Sequence, residues 1–172
     1  MIKQLFYIYI TIVILLLIYK YVRKKKIIIC FFGTCSRSIK YTHKNLKDKL
    51  INIVKKEYEV DIYIFNNNVE GEKIDNIIQN NDDVKLLQSD FYQEETQSYI
   101  DENIKNNFNL YESEKMGFQK RYNRGQKINA IRQMYSEEKI GNFLNKNKDN
   151  YDCAIVCGPD YYLLDNINLE HI

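Results

Sequence analysis

Apolar positions divide the chain into a continuous head and a body of short alternating segments. Residues Leu5 to Val22 read LFYIYITIVILLLIYKYV. Thr11 is the one polar residue between Ile10 and Ile18, and Lys20 is the one charge of the run. A helix needs roughly 20 apolar residues to cross a hydrocarbon core, and this run is long enough. Tyr7, Tyr9, Tyr19 and Tyr21 stand toward its ends, where amphipathic rings favour the interface, and Arg23 to Lys26 follow as a basic stop. No small-residue cleavage site closes the run, so the pattern predicts an uncleaved transmembrane anchor within residues 1–26 and not a signal peptide. The flank after the run is the richer in Lys and Arg, which orients the body toward the cytoplasm by the positive-inside rule. A lumenal Golgi or ER orientation is the alternative, since short anchors of this kind also hold enzymes there.

Residues 27–172 read as one α/β domain. Ile27 to Phe32 (IIICFF) is apolar at every position, which predicts a strand buried on both faces in a parallel sheet. Tyr41 to Glu57 places Leu46, Leu50, Ile53 and Val54 at helical spacing with charges between them. Val60 to Phe65 (VDIYIF) predicts a second strand, ended by Asn66-Asn67-Asn68, so the body opens with a βαβ unit. Further on, the pattern predicts a short strand at Val84 to Leu87, a helix at Tyr92 to Lys105 and a loop at Asn106 to Met116. A long helix follows at Asn123 to Asn147. Its stripe is Ile128, Ile131, Met134 or Tyr135, Ile140 and Phe143-Leu144. Cys153 to Cys157 (CAIVC) reads as another buried strand, stopped by Gly158-Pro159. The alternation predicts a Rossmann-like, mostly parallel sheet with helices on both faces.

Composition narrows the function classes. The 172 residues hold 25 Lys+Arg against 23 Asp+Glu, a net charge of +2, which excludes a one-sidedly basic nucleic-acid clamp. With 45% hydrophobic and 28% charged residues the chain is a folding one and not a disordered one. Six Gly and one Pro exclude collagen-like and linker classes. Four Cys form no disulfide scaffold and lack zinc spacing, and no Asn begins a glycosylation acceptor.

Candidate chemistry sits where ligands bind in parallel sheets, outside the carboxyl ends of the strands. After the first strand comes Gly33-Thr34-Cys35-Ser36-Arg37-Ser38. Gly33 permits close approach, Thr34, Ser36 and Ser38 offer hydroxyls, and Arg37 offers a fork for phosphate in front of a helix N-terminus. The plain alternative is a polar turn with Ser38 or Thr42 as a cap. No Walker Gly-Lys-Ser/Thr is present, and Cys30 and Cys35 are both at the wrong spacing to Arg37 for a phosphatase loop. After the last strand, Asp160 and Asp165 are hard oxygen donors that would suit Mg²⁺ or Mn²⁺ together with substrate phosphates. On the long helix, Arg121, Arg124, Asn129, Arg132 and Gln133 would face donor phosphates or form a solvated polar face.

The frame IIICFFGTCSRSIKYTHKNLKDKL, VDIYIF, NRGQKINAIRQMYSEEKI and YDCAIVCGPDYYLLDNI resembles a group of glycosyltransferase-like proteins of giant viruses, bacteria and algae. Their pattern is a strand with a Phe-Gly loop carrying Arg-Ser, an Asn/Arg-rich helix, and a strand ending in Arg-Pro-Asp followed by aromatic residues and another Asp. The resemblance implies a GT-A-like fold, a nucleotide-sugar donor and a divalent metal (Mn²⁺ or Mg²⁺) at a DxD-like motif. Gly33, Arg37 and Ser38 would lie near the nucleotide and Asp160 at the acidic position. Here Tyr162 stands where the second Asp would be, and Gly158 where the pattern has Arg. The group's sequences continue well beyond this position, whereas twelve residues follow Asp160 here, which reads as a shortened member. A non-catalytic anchored module is the alternative function.

Overall fold

A computed structural model describes residues 4, 7–15, 24–74, 76–107 and 124–170 of the chain. Four parallel strands form its sheet: β1 (Lys26–Gly33), β2 (Glu59–Asn68), β5 (Phe91–Thr96) and β6 (Cys153–Cys157), in the spatial order β5-β2-β1-β6. A two-residue antiparallel hairpin, β3 (Lys73–Ile74) and β4 (Ile77–Ile78), stands apart from it.

The sheet is covered on both faces, and the side-chain alternation of β1 shows why. Ile27, Ile29 and Phe31 pack with Ile62 and Ile64 of β2 against helix α1 (Cys35–Leu46). That helix runs through a π-helical turn (Lys47–Ile51) into α2 (Asn52–Glu57), and Ile39, Leu46, Leu50 and Val54 supply its apolar face. Ile28 and Cys30 pack with Tyr63 and Phe65 against α4 (Arg124–Lys146) through Ile140, Tyr135 and Phe143. The Tyr63 and Phe143 rings stack with centroids 4.0 Å apart. Helix α3 (Gln97–Asn107) docks on α4 through Ile100, Ile104 and Ile131. A strand with no polar face, such as IIICFF, can be satisfied only in this two-sided position.

The structure corrects several expectations. The helix expected from Tyr41 starts at Cys35, six residues earlier, so the first loop shrinks to a tight turn. Val84 to Leu87 lies in a 3₁₀ helix (Asn81–Leu87) and not in a strand. Tyr92 to Lys105 is divided between β5 and α3, because Phe91–Thr96 pairs with Tyr63–Asn68 of β2. CAIVC is an edge strand, with Cys157 buried but Ala154 and Val156 exposed. The Asn66-Asn67-Asn68 run does not end β2 but belongs to it, with Asn66 and Asn67 buried. On α4 it is Tyr135 and not Met134 that faces the core. Most of the expected Asn106–Met116 loop lies outside the described residues.

Of the Leu5–Val22 run, positions 7–15 are described. They are helical, with Tyr7, Ile8, Ile12 and Leu15 exposed. The rest of the run and Arg23 lie outside the described residues, and no described helix is long and apolar enough to cross a membrane.

Candidate functional site

The strand order sets where a site can form. From β1 the chain steps outward to β2 and β5, then returns to place β6 on the other side of β1. The carboxyl ends of β1 and β6 therefore flank the point where the order reverses, where open parallel sheets leave a crevice. Both sequence-derived loops leave from that point.

The first turn is built by a residue far off in sequence. Gly33 closes β1 at φ +99°, a conformation that L side chains rarely adopt. Thr34 stands at the N-cap of α1, but its side chain makes no cap bond. The cap comes from Asn66 of β2, whose Oδ1 accepts the Cys35 amide at 3.0 Å. Asn66 Nδ2 donates to Asn81 Oδ1 at 3.3 Å and to the Tyr92 hydroxyl oxygen at 3.2 Å. Capping from the sheet replaces the Ser38 or Thr42 cap and is why helix begins so early. Cys35 and Ser36 are consequently buried.

The second turn is held against α1 by a polar stripe. Thr42 donates to the Pro159 carbonyl at 2.6 Å. Asn45 donates to the Leu163 carbonyl at 2.9 Å and accepts the Leu163 amide at 2.7 Å. Lys49 donates through Nζ to the Leu164 carbonyl, and its own carbonyl accepts the Ile167 amide. Leu163, Ile167 and Leu169 pack on the core below. The segment after β6 is thus a strap on the α1 face. At its start a Cβ on Gly158 would come within 2.7 Å of an Asp160 carboxylate oxygen and 3.3 Å of the Tyr161 ring, so a larger residue there would have to displace these exposed side chains.

Between these turns lies a cleft of about 670 Å³. Gly33, Thr34, Arg37 and Ser38 form one wall, Asp160 and Tyr161 a second, and Arg132 part of a third. A smaller annex of about 290 Å³ lies beside it, sharing Arg37, Ser38 and Asp160 and adding Lys40, Tyr41 and Gln79. Of the residues singled out in the sequence, Gly33, Thr34, Arg37, Ser38, Arg132, Asn129, Gln133 and Asp160 therefore line the same cleft. Asp165 is exposed and lines neither compartment. Arg121 and the Arg124 side chain lie outside the described residues.

Arg132 already has its partners within the protein. Arg132 is held by Asp101 in a two-pronged pair, Nε to Oδ1 at 2.7 Å and Nη2 to Oδ2 at 2.5 Å, and Nη1 donates to Asn129. Gln97 donates to the same carboxylate. Its charge is already matched inside the protein, so Arg132 is first a wall residue joining α4 to α3. Burial, with a smaller contribution from the Asp160 carboxylate, raises the Cys157 thiol to about 11 and Cys35 further. Protonated thiols are poor nucleophiles, so neither Cys serves as one.

Two carboxylates, Asp160 and Glu72, line the cleft, and Asp165 is off it. No group of three or more His, Cys, Asp and Glu able to hold a metal ion occurs among the described residues. Asn66, Asn67, Glu72, Gln79 and the Thr42–Asn45–Lys49 stripe are the site residues that sequence reading passed over. The stripe left a signal, polar residues at i, i+3 and i+7 of an amphipathic helix. The buried asparagines left none beyond their strand position. No protein-family model, curated protein or solved structure matches this chain.

Proposed function

We propose that the cleft binds a nucleotide sugar, and that the chain is a membrane-anchored glycosyltransferase-like protein of GT-A-like type. The observation that carries this reading is the meeting of Arg37 and Ser38 with Asp160 and Tyr161 at the strand-order reversal. Arg37 supplies the cation and fork for a diphosphate. Ser38 supplies a hydroxyl, and Gly33 lets the ligand approach the backbone. Tyr161 offers an exposed aromatic face for a base. Gln97, Asn67 and Gln133 also line the cleft and offer polar groups for ribose hydroxyls. A divalent cation enters the proposal only as a companion of the diphosphate, with Asp160 adding a single carboxylate; no step depends on it.

The anchor is the second half of the proposal. Supporting it are the apolar, exposed side chains of helix 7–15 and the basic stop that follows the run. The body would face the cytoplasm, with the Golgi or ER lumen as the alternative.

Calorimetry of the full chain with UDP- and GDP-sugars, with and without Mn²⁺, tests the site. Heats that disappear in Arg37→Ala and weaken in Asp160→Ala support it. Equal heats in wild type and both variants, or none at all, remove it. The Arg132–Asp101 pair, which occupies a wall cation inside the protein, also favours a second reading, donor binding without transfer. Hydrolysis of the donor by purified protein, lost in Asp160→Ala, would count against that reading.

A further inference from the structure

The wall of the annex beside Arg37 includes a residue whose buried side-chain oxygen has no partner. Gln79 is 2% exposed and lines this compartment. Its backbone amide donates to the Glu72 carbonyl and its own carbonyl accepts the Gly71 amide. Its side-chain Nε2 donates to the Ile77 carbonyl at 3.0 Å. That bond fixes the orientation of the carboxamide, since exchanging its ends would set oxygen against oxygen. Oε1 is left buried with no partner. An unsatisfied buried acceptor is unfavourable and is found in native proteins mostly where something else completes it.

The rest of the annex describes what could complete it. Tyr41 presents an exposed ring, with the Lys40 ammonium 5.1 Å from its centroid, and Ile74 and Ile77 give apolar wall. Asp160 adds a second acceptor. Apolar walls, an aromatic face and two acceptors suit a group with C–H faces and O–H edges. At about 290 Å³ the space is at the small end for ligand sites, which run from roughly 300 Å³ upward, and is too small for a nucleotide. Arg37, Ser38 and Asp160 line both compartments, so a group in the annex would share these residues with a phosphate held in the main cleft.

We propose that the annex is the sugar subsite, receiving the hexose-sized group of a nucleotide sugar with one of its hydroxyls donating to Gln79 Oε1. The proposal rests on the nucleotide-sugar reading above and adds the residues that would recognise the sugar. Oε1 is closed to water, so a wall must give on entry. The β3–β4 hairpin, two residue pairs long with Ile77 and Ile78 exposed, is the weakest one.

The test compares each diphosphate with its conjugates on the full chain in detergent: UDP against UDP-glucose, UDP-galactose and UDP-N-acetylglucosamine, and GDP against GDP-mannose. The wild type is expected to bind at least one conjugate more tightly than its parent diphosphate. Gln79→Met and Tyr41→Ala should each reduce that preference about tenfold while leaving the diphosphate affinity unchanged. Tyr41 is exposed, so its variant remains informative should Gln79→Met fail to fold. A wild type that binds the diphosphate with no preference for any conjugate overturns this proposal alone. So does a preference left intact in the variants that fold. A wild type that binds neither form overturns the nucleotide reading, and this proposal with it.

Discussion

Replacing Asn45 with Ala tests whether α1 holds the segment that carries Asp160. Asn45 makes two part-buried hydrogen bonds to Leu163, one donated at 2.9 Å and one accepted at 2.7 Å. A net contribution of roughly 0.5–1.5 kcal/mol for each gives about 2 kcal/mol for the pair. Leu163, Ile167 and Leu169 stay on the core, and Thr42 and Lys49 keep their bonds at either side. The segment is therefore expected to open more often, not to detach. At 1.4 kcal/mol per factor of ten, the Leu163 amide should exchange hydrogen about 30-fold faster. Exchange followed by mass spectrometry on peptides covering 158–169 reads this directly. Asn45→Asp should not rescue it, because that side chain accepts from the Leu163 amide but sets a carboxylate against the Leu163 carbonyl. Exchange at Leu163 unchanged from wild type would show that the apolar contacts alone hold the strap, and the reasoning from the polar stripe would fail.

Three other outcomes are expected. Asn66→Leu leaves the Cys35 amide and the Tyr92 hydroxyl without their buried partner and should cost about 2–4 kcal/mol, read as a lower melting temperature by circular dichroism. Gly158→Ala should keep the fold, since the atoms in its way belong to the exposed side chains of Asp160 and Tyr161; nucleotide-sugar affinity should fall with the displaced carboxylate, and an unchanged titration would separate Asp160 from binding. Burial raises the Cys30 thiol from 9.0 to about 12, so the folded state retains a proton that the unfolded chain releases first. That contribution is complete below pH 9 and is lost as pH rises toward 12, by about 1.4 kcal/mol per unit at most. A plot of melting temperature against pH from 8 to 10.5 should fall less steeply in Cys30→Ala.

How far the sequence disclosed the fold depends on where each element's stabilising partner lies. Ile27 to Phe32 is apolar on both faces, so its place in the centre of a two-sided sheet was legible from the residues alone. Ile131, Tyr135, Ile140 and Phe143 recur at helical spacing and disclosed α4 almost to its ends. The FYQEET strand was not legible. It is an edge strand with Phe91 and Tyr92 largely exposed, and only its pairing with Tyr63–Asn68 makes it a strand at all. The early start of α1 was hidden for a related reason, because its cap is Asn66, on another element. Residue type was enough to single out Gly33, Arg37, Ser38 and Asp160, which line one cleft, but it also pointed to Asp165, which does not. The Asp101 that occupies Arg132, and the orphaned oxygen of Gln79, required coordinates.

The strand order explains why residues from the two ends of the body share one cleft. A chain that continued outward in one direction would have left the turn after β1 beside the turns after β2 and β5 only. Returning to pair β6 with β1 brings Cys157 level with Phe31, so Gly158 leaves the sheet one residue short of Gly33's level. The strap must then turn across α1 to bury Leu163, Ile167 and Leu169, and α1 offers Thr42, Asn45 and Lys49 along that route. Asp160 is thereby fixed at the N-terminal end of α1, next to Arg37 and Ser38, by contacts that a ligand does not have to make. The cleft is positioned by the fold before anything binds, and the energy of holding its two walls together is drawn from the core and the stripe. For that reason Asn45→Ala, at a residue lining neither compartment, is expected to reach the site at all.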